Sequence, residues 1–136
     1  MATATLTAKT HSIATVHQQI GRIRAGLSFR AVQNLQKALN LPLETVASVL
    51  GMSRATLHRR KLQGKIDEGE SERLVRYQRL LKKAEDVFGD GKSAREWLTH
   101  KQVGLGNAAP LEFARTEIGA REVENLLGRI EYGVYS

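Results

Sequence analysis

The chain is poor in several residue types that define particular classes of protein. Its 136 residues include no cysteine, two prolines, three phenylalanines, three tyrosines and one tryptophan. The absence of cysteine excludes disulfides, thiolate zinc sites and thiol nucleophiles, and it suits a reducing cytosol. No apolar run approaches the roughly 20 residues that a membrane-spanning helix needs, so we expect a cytoplasmic protein without a membrane partner.

Side-chain arrangements that perform catalysis or bind metals are also scarce. The four histidines are scattered, and none pairs with another at metal-ligand spacing within one predicted helix. Gly104 and Gly106 lack the preceding strand and the third glycine of a dinucleotide-binding loop. Glu122 and Glu124 lie two residues apart on a helix and do not face each other. We therefore expect no enzymatic activity, no catalytic residues, no metal site and no cofactor.

Acidic residues are nearly missing from the first half of the chain. Residues 1–66 contain ten Lys or Arg and one acid, Glu44, for a balance of +9. Residues 67–136 contain eleven Lys or Arg and thirteen acids, for a balance of −2. Such an asymmetry indicates a polyanionic partner for the first half and a different partner for the second.

The segment LETVASVLGMSRATLHRRKL, residues 43–62, predicts a helix-turn-helix. Its first half carries an apolar stripe at i, i+3, i+4 and i+7, formed by Leu43, Val46, Ala47 and Leu50. Gly51 can adopt the positive φ of a sharp turn, and Ser53 can cap a second helix by accepting from its free amides. The second helix surrounds one inward residue, Leu57, with cationic and hydrogen-bonding side chains, which is typical of a helix that reads a DNA groove.

Seven residues of this segment are the predicted DNA contacts: Ser53, Arg54, Thr56, His58, Arg59, Arg60 and Lys61. We expect Arg54, Thr56 and His58 to read bases of a palindromic operator bound by a homodimer. The three cations that follow are expected to bind phosphates. Arg60 stands where such motifs bury a hydrophobe, so we expect Leu62 to take that place. The alternative is an ordinary pair of amphipathic helices with a solvated basic face.

Helical periodicity continues on both sides of this segment. Apolar residues recur at 3, 4, 3 spacing from Ile13 to Ile23, and residues 29–39 form a further predicted helix that Ser28 caps. Asp67 is expected to cap a long helix that ends at Gly89, and its apolar seam fits either the core of the monomer or a dimer interface. Shorter helices are expected over residues 92–99, from residue 110, and from about residue 119 to residue 132.

Alternation with period two, the signature of a strand, is absent from the sequence. We therefore expect an all-α fold. It comprises a flexible tail at residues 1–12, a helix-turn-helix DNA-binding domain at residues 13–66 and a second helical domain at residues 67–136.

The second half resembles a known family. The stretch AEDVFGDGKSAREWL, then LG followed by PLEFARTEIGAREVENLLGRIEYGVY, is similar to the toxin-binding domain shared by the Xre, MbcA and ParS antitoxins, over roughly residues 68–135. The first half, from GLSFRAVQNL through LHRRK, resembles the helix-turn-helix region that precedes this domain in Xre-type members. The resemblance implies an antitoxin that inactivates a RES-type toxin, a class that destroys cellular NAD, and that represses its own operon.

The resemblance also implies a toxin-binding surface in the second half. The expected contacts are Trp97, Arg129, Glu131, Tyr132, Tyr135 and Ser136. We expect the C-terminal segment to occlude the toxin's NAD entrance, because it offers a tyrosine and a carboxylate to one cleft. For Trp97, a place in the core is the alternative. For the terminal candidates, the alternative is a frayed tail without a partner. For the whole chain, the alternative is a free-standing helix-turn-helix regulator whose second domain dimerises or senses a ligand.

Overall fold

The computed structural model describes residues 12–133. Residues 1–11 of the tail predicted at residues 1–12, and the terminal residues 134–136, which include Tyr135 and Ser136, lie outside the described residues. In the described part the chain forms helices and no strand, and the predicted all-α fold is confirmed. The helices are α1 (Ile13–Ala25), α2 (Phe29–Leu39), α3 (Leu43–Val49), α4 (Arg54–Gln63), α5 (Glu68–Phe88), α6 (Gly91–Thr99), a 3-10 turn (Val103–Leu105), α7 (Pro110–Phe113) and α8 (Glu117–Glu131).

Side-chain caps set the starts of most of these helices. Ser28 caps α2, Ser53 caps α4 and Asp67 caps α5, as the sequence predicts. Asp67 forms a full capping box with Glu70, which fixes the first turn of α5. The last helix begins two residues earlier than expected, because Thr116 accepts from the amide of residue 119 at 3.1 Å.

The long helix α5 is the centre of the fold. It packs against two helices that precede it in the chain, α1 and α2, and against two that follow it, α6 and α8. Its predicted apolar seam is buried within the chain itself, and the fully or nearly fully buried residues are Leu74, Tyr77, Leu80, Leu81 and Ala84. The seam is therefore part of the core of the monomer.

The apolar seam of α1 is less buried than the seam of α5. The helix forms as predicted, with Ser12 as its cap, but none of its residues is buried. Ile13 is 73% exposed and Ile20 is 41% exposed. Val16 and Ile23 are half-buried, so the rest of the protein covers this seam only in part.

Helix α5 lies in the second predicted domain and also contacts the first. Near its start, the Ser71 hydroxyl accepts from the Leu27 amide at 2.9 Å. Further along, the buried Tyr77 hydroxyl donates to the Leu111 carbonyl at 2.7 Å, and burial raises the pKa of Tyr77 far above its ordinary value. The two halves contribute to one continuous core. The boundary between residues 66 and 67 stays a prediction.

Candidate functional sites

Helices α3 and α4 meet at a tight turn. Gly51 has φ +82°, and the Met52 amide donates to the Ala47 carbonyl at 2.8 Å. A Cβ at Gly51 would lie 3.2 Å from the guanidinium of Arg73, which donates to the Leu50 carbonyl at 2.9 Å. A side chain at the turn is therefore disfavoured both by the backbone conformation and by the close packing of Arg73.

Buried residues hold α3 and α4 on the core. Val46, Ala47 and Leu50 are buried, and in α4 the buried residue is Leu57. Because α4 has a single apolar anchor, nearly all of its remaining surface is available to water. This arrangement agrees with the predicted helix-turn-helix.

The outer surface of α4 is cationic. Arg54, His58 and Lys61 are exposed and follow one another at i, i+4 and i+7, so they share one stripe of the helix. Arg59 is also exposed, and its guanidinium reaches the Thr56 hydroxyl at 3.4 Å. The structure therefore places four of the predicted cationic or polar contacts on one accessible surface.

Two of the predicted DNA contacts, Ser53 and Thr56, hydrogen-bond to each other. The Ser53 hydroxyl accepts from the Thr56 amide at 3.1 Å and donates to the Thr56 hydroxyl at 3.0 Å. Both side chains lie at the start of α4, where unpaired amides and the helix dipole favour an anion.

Arg60 does not lie on the outer surface. It turns inward, where its Nε donates to Glu70 at 2.7 Å and its Nη2 donates to Asp67 at 3.1 Å. The hydrogen bond that Arg60 donates to Glu70 raises the pKa of Arg60 above its ordinary value, and burial opposes this effect. The geometry disagrees with the predicted phosphate contact for Arg60. The expected burial of Leu62 is wrong, because Leu62 is 75% exposed and the ion pair takes the inward position.

The candidate contacts of the second half form two groups. Trp97 is half-buried and packs on Phe88, with ring centroids 5.6 Å apart and an interplanar angle of 42°. At the end of α8, Arg129 and Tyr132 border one shallow depression, and Tyr132 is 80% exposed. Glu131 borders a neighbouring depression lined mainly by cations of α5.

Sequence reasoning missed one exposed residue on α8. Ile118 is exposed at the start of this helix, and it falls at helical spacing with Asn125, Arg129 and Tyr132. The signal was present in the sequence, because these residues lie opposite the buried stripe that contains Val123 and Leu127.

Two further features are absent from residues 12–133. No helix there is both long and apolar enough to cross a membrane. No group of three or more metal-ligating side chains occurs in the same part of the chain.

Comparison with known proteins matches both halves of the chain. Residues 18–79 match the antitoxin Xre-like helix-turn-helix domain, and residues 83–133 match the antitoxin Xre/MbcA/ParS C-terminal toxin-binding domain. A protein of Yersinia enterocolitica named antitoxin Xre is 34% identical over 119 residues, which is 86% of this chain and 80% of that protein. The chain belongs to the Xre/MbcA/ParS antitoxin family.

Two further proteins named antitoxin Xre match the chain over different lengths. Antitoxin Xre of Photorhabdus laumondii is 33% identical over 84% of this chain and 78% of its own length. Antitoxin Xre of Pseudomonas putida is 33% identical over 47% of this chain and 40% of its own length. The chain is thus an antitoxin in which an N-terminal helix-turn-helix domain precedes a C-terminal toxin-binding domain.

Proposed function

We propose that this antitoxin belongs to a type II toxin–antitoxin system and performs two tasks. Its second half binds a RES-type, NAD-degrading toxin and occludes the active site, and its first half represses the operon by binding operator DNA. The observation that carries this proposal is that α5 packs against both a helix-turn-helix domain with an exposed cationic helix and a domain that matches a toxin-binding family.

The DNA-binding part of the proposal rests on α4. Arg54 and His58 lie on its exposed face near the capped N-terminus, the end that such helices insert into the major groove. Arg59 and Lys61 are the proposed phosphate contacts, and Thr56 is a third base reader. One such helix covers only a few base pairs, so we propose a homodimer that occupies two half-sites, within a larger complex with the toxin.

The toxin-binding part rests on the end of α8. Tyr132 is an exposed aromatic beside Arg129, and the chain continues for four residues beyond it. Aromatic and arginine side chains dominate the binding energy of protein interfaces. We propose that Arg129, Glu131, Tyr132, Tyr135 and Ser136 enter the toxin's cleft, and that the exposed part of Trp97 adds a contact nearby.

Removal of the C-terminal segment tests the mechanism of inhibition. Deletion of residues 132–136 is expected to leave the helical circular dichroism and operator binding unchanged, because the described residues among them are exposed. The same deletion should restore NAD consumption by the toxin that the adjacent gene encodes, measured with purified proteins at a fixed ratio.

Ile13→Ala is the matched control, because it removes an exposed apolar side chain from the other half. It should leave inhibition of the toxin intact. Complete inhibition by the truncated antitoxin would show that the toxin is blocked by another surface, such as the one around Trp97. An adjacent toxin that leaves NAD untouched would refute the RES-type assignment and keep the antitoxin role.

A further inference from the structure

Arg60 replaces a hydrophobic anchor in the recognition helix. It lies almost one turn beyond Leu57, and its side chain is only 17% exposed. All three guanidinium nitrogens have acceptors: Nε has Glu70 at 2.7 Å, Nη2 has Asp67 at 3.1 Å and Nη1 has Gln63 at 3.3 Å. With its donors engaged inside the protein, Arg60 has a different role from the cations on the outer face.

The acceptors of Arg60 are themselves held in place. Glu70 is 4% exposed, and its Oε1 also accepts from the Asp67 amide at 2.9 Å. The Glu70 amide in turn donates to the Asp67 carboxylate at 2.7 Å. A nearly buried carboxylate requires a paired cation, and a guanidinium held by more than one hydrogen bond is restricted in direction as well as distance. Arg60 is therefore locked onto the first turn of α5.

Two neighbouring contacts attach the rest of the motif to the same end of α5. Arg73 donates to the carbonyl of Leu50 at the turn, and Ser71 accepts from the amide of Leu27 ahead of α2. Neither of these contacts touches α4. The end of α4 is held by the Gly64 carbonyl, which accepts from the Phe29 amide at 2.9 Å. Within α4 itself, Leu57 is the buried apolar anchor, and Arg60 is the second side chain that resists rotation of the helix about its axis.

We propose that Arg60 is a positioning residue for DNA recognition, which holds α4 at the angle on α5 that brings Arg54 and His58 to the base edges. The inference rests on the DNA-binding function proposed above. It assigns Arg60 to sequence discrimination and removes it from the phosphate contacts. Asp67 and Glu70 act with Arg60, although both are acids that DNA repels.

The test compares two conservative variants with the full-length antitoxin. Arg60→Lys keeps the positive charge and loses the branched set of donors, and Glu70→Gln keeps a capping-box side chain and loses the ion pair. The probes are a duplex from the antitoxin's own promoter and a scrambled duplex of equal length. Dissociation constants for both are measured by mobility shift over a salt series.

A positioning role predicts that both variants lose about tenfold or more of their preference for the promoter duplex, which is the scale of one misplaced base contact. Affinity for the scrambled duplex and the salt slope should stay at wild-type values. Arg59→Ala is the matched control, because it should weaken both duplexes alike and lower the slope by about one.

Glu70→Gln distinguishes most sharply between Arg60 as a positioning residue and Arg60 as a phosphate contact. If Arg60 bound phosphate, loss of its acidic partner would leave binding unchanged or strengthen it on both duplexes. That result, or a lower salt slope in an alanine variant of Arg60, would overturn the proposal. So would loss of the fold in both conservative variants by circular dichroism, because the cluster would then serve stability alone. A wild-type protein that does not distinguish the duplexes would instead refute the DNA-binding function itself.

Discussion

Gly119 shows how one residue determines the junction between two helices. It lies in the first turn of α8 with an ordinary helical backbone, and a Cβ at this position would overlap the carbonyl group of Phe113 at the end of α7. The absence of a side chain therefore lets α8 start directly against α7. Close backbone approach, rather than backbone conformation, explains this glycine.

Two glycines of α8 offer a matched pair of substitutions. Gly119→Ala is expected to lower the free energy of unfolding by about 1–3 kcal/mol, because overpacking outweighs the higher helix propensity of alanine. At Gly128 nothing lies within 4 Å of an added Cβ. Gly128→Ala should therefore raise the free energy of unfolding by about 0.5–1 kcal/mol. Urea unfolding followed by circular dichroism measures both, and stabilisation by both substitutions would contradict the packing argument.

At the scale of an element, α4 is a helix defined by its caps and by few buried groups. Ser53 caps its start, and the amide of Gly64 donates to the carbonyl of Arg60 at its end. Leu57 is its buried apolar residue. Local hydrogen bonds thus form the helix, while its long exposed face remains available for a polyanion.

The cations of α4 are expected to differ in what they contribute to binding. Arg59→Ala and Lys61→Ala should each reduce the slope of log K against log salt by about one, with similar losses on all sequences. Arg54→Ala should cost about 1–3 kcal/mol on the operator and relax specificity at one base pair. Mobility shifts over a salt series measure both effects.

A cation of the second half provides the control for this series. Lys101 is exposed and lies outside α4. Lys101→Ala should leave affinity and slope at wild-type values. An equal effect of Lys101→Ala would mean that DNA responds to net charge and that α4 is not the recognition helix.

At the scale of the molecule, α5 joins the two halves as one scaffold. In the second half Arg76 binds Glu117 at 3.2 Å and Arg79 binds Glu124 at 2.7 Å, and both acids belong to α8. The matched domains meet between residues 79 and 83, inside α5. A cut there would divide the helix, whereas a cut at residue 67 keeps it whole. This is the physical reason to expect the functional boundary before α5.

A fragment of residues 68–136 is therefore expected to bind the toxin and to lose DNA affinity. It should also unfold at a lower temperature than the whole chain, because Leu74 and its neighbours lose the cover of the first half. Thermal circular dichroism and co-purification with the toxin measure the two properties. The full chain with both Arg54 and Arg59 replaced by alanine is the control that loses DNA binding with its core intact. A folded fragment that leaves the toxin active would show that the toxin contacts both halves.

Local sequence determined most of the helices of this protein. The caps at Ser28, Ser53 and Asp67 and the turn at Gly51 all depend on interactions within a few residues. Such interactions act before any tertiary contact forms, so the sequence alone predicts them. The family resemblance added the two-domain order, and the matches at residues 18–79 and 83–133 support it.

Tertiary structure decided which helix faces are covered and which charges are paired. The same apolar spacing lies in the core on α5 and is only partly covered on α1, since periodicity defines a face but not the element that packs on it. In the sequence, Arg60 is indistinguishable from the surface cations beside it. In the structure, α5 brings Glu70 to within 2.7 Å of Arg60. That pairing depends on the angle between two helices, and no local pattern encodes an interhelical angle.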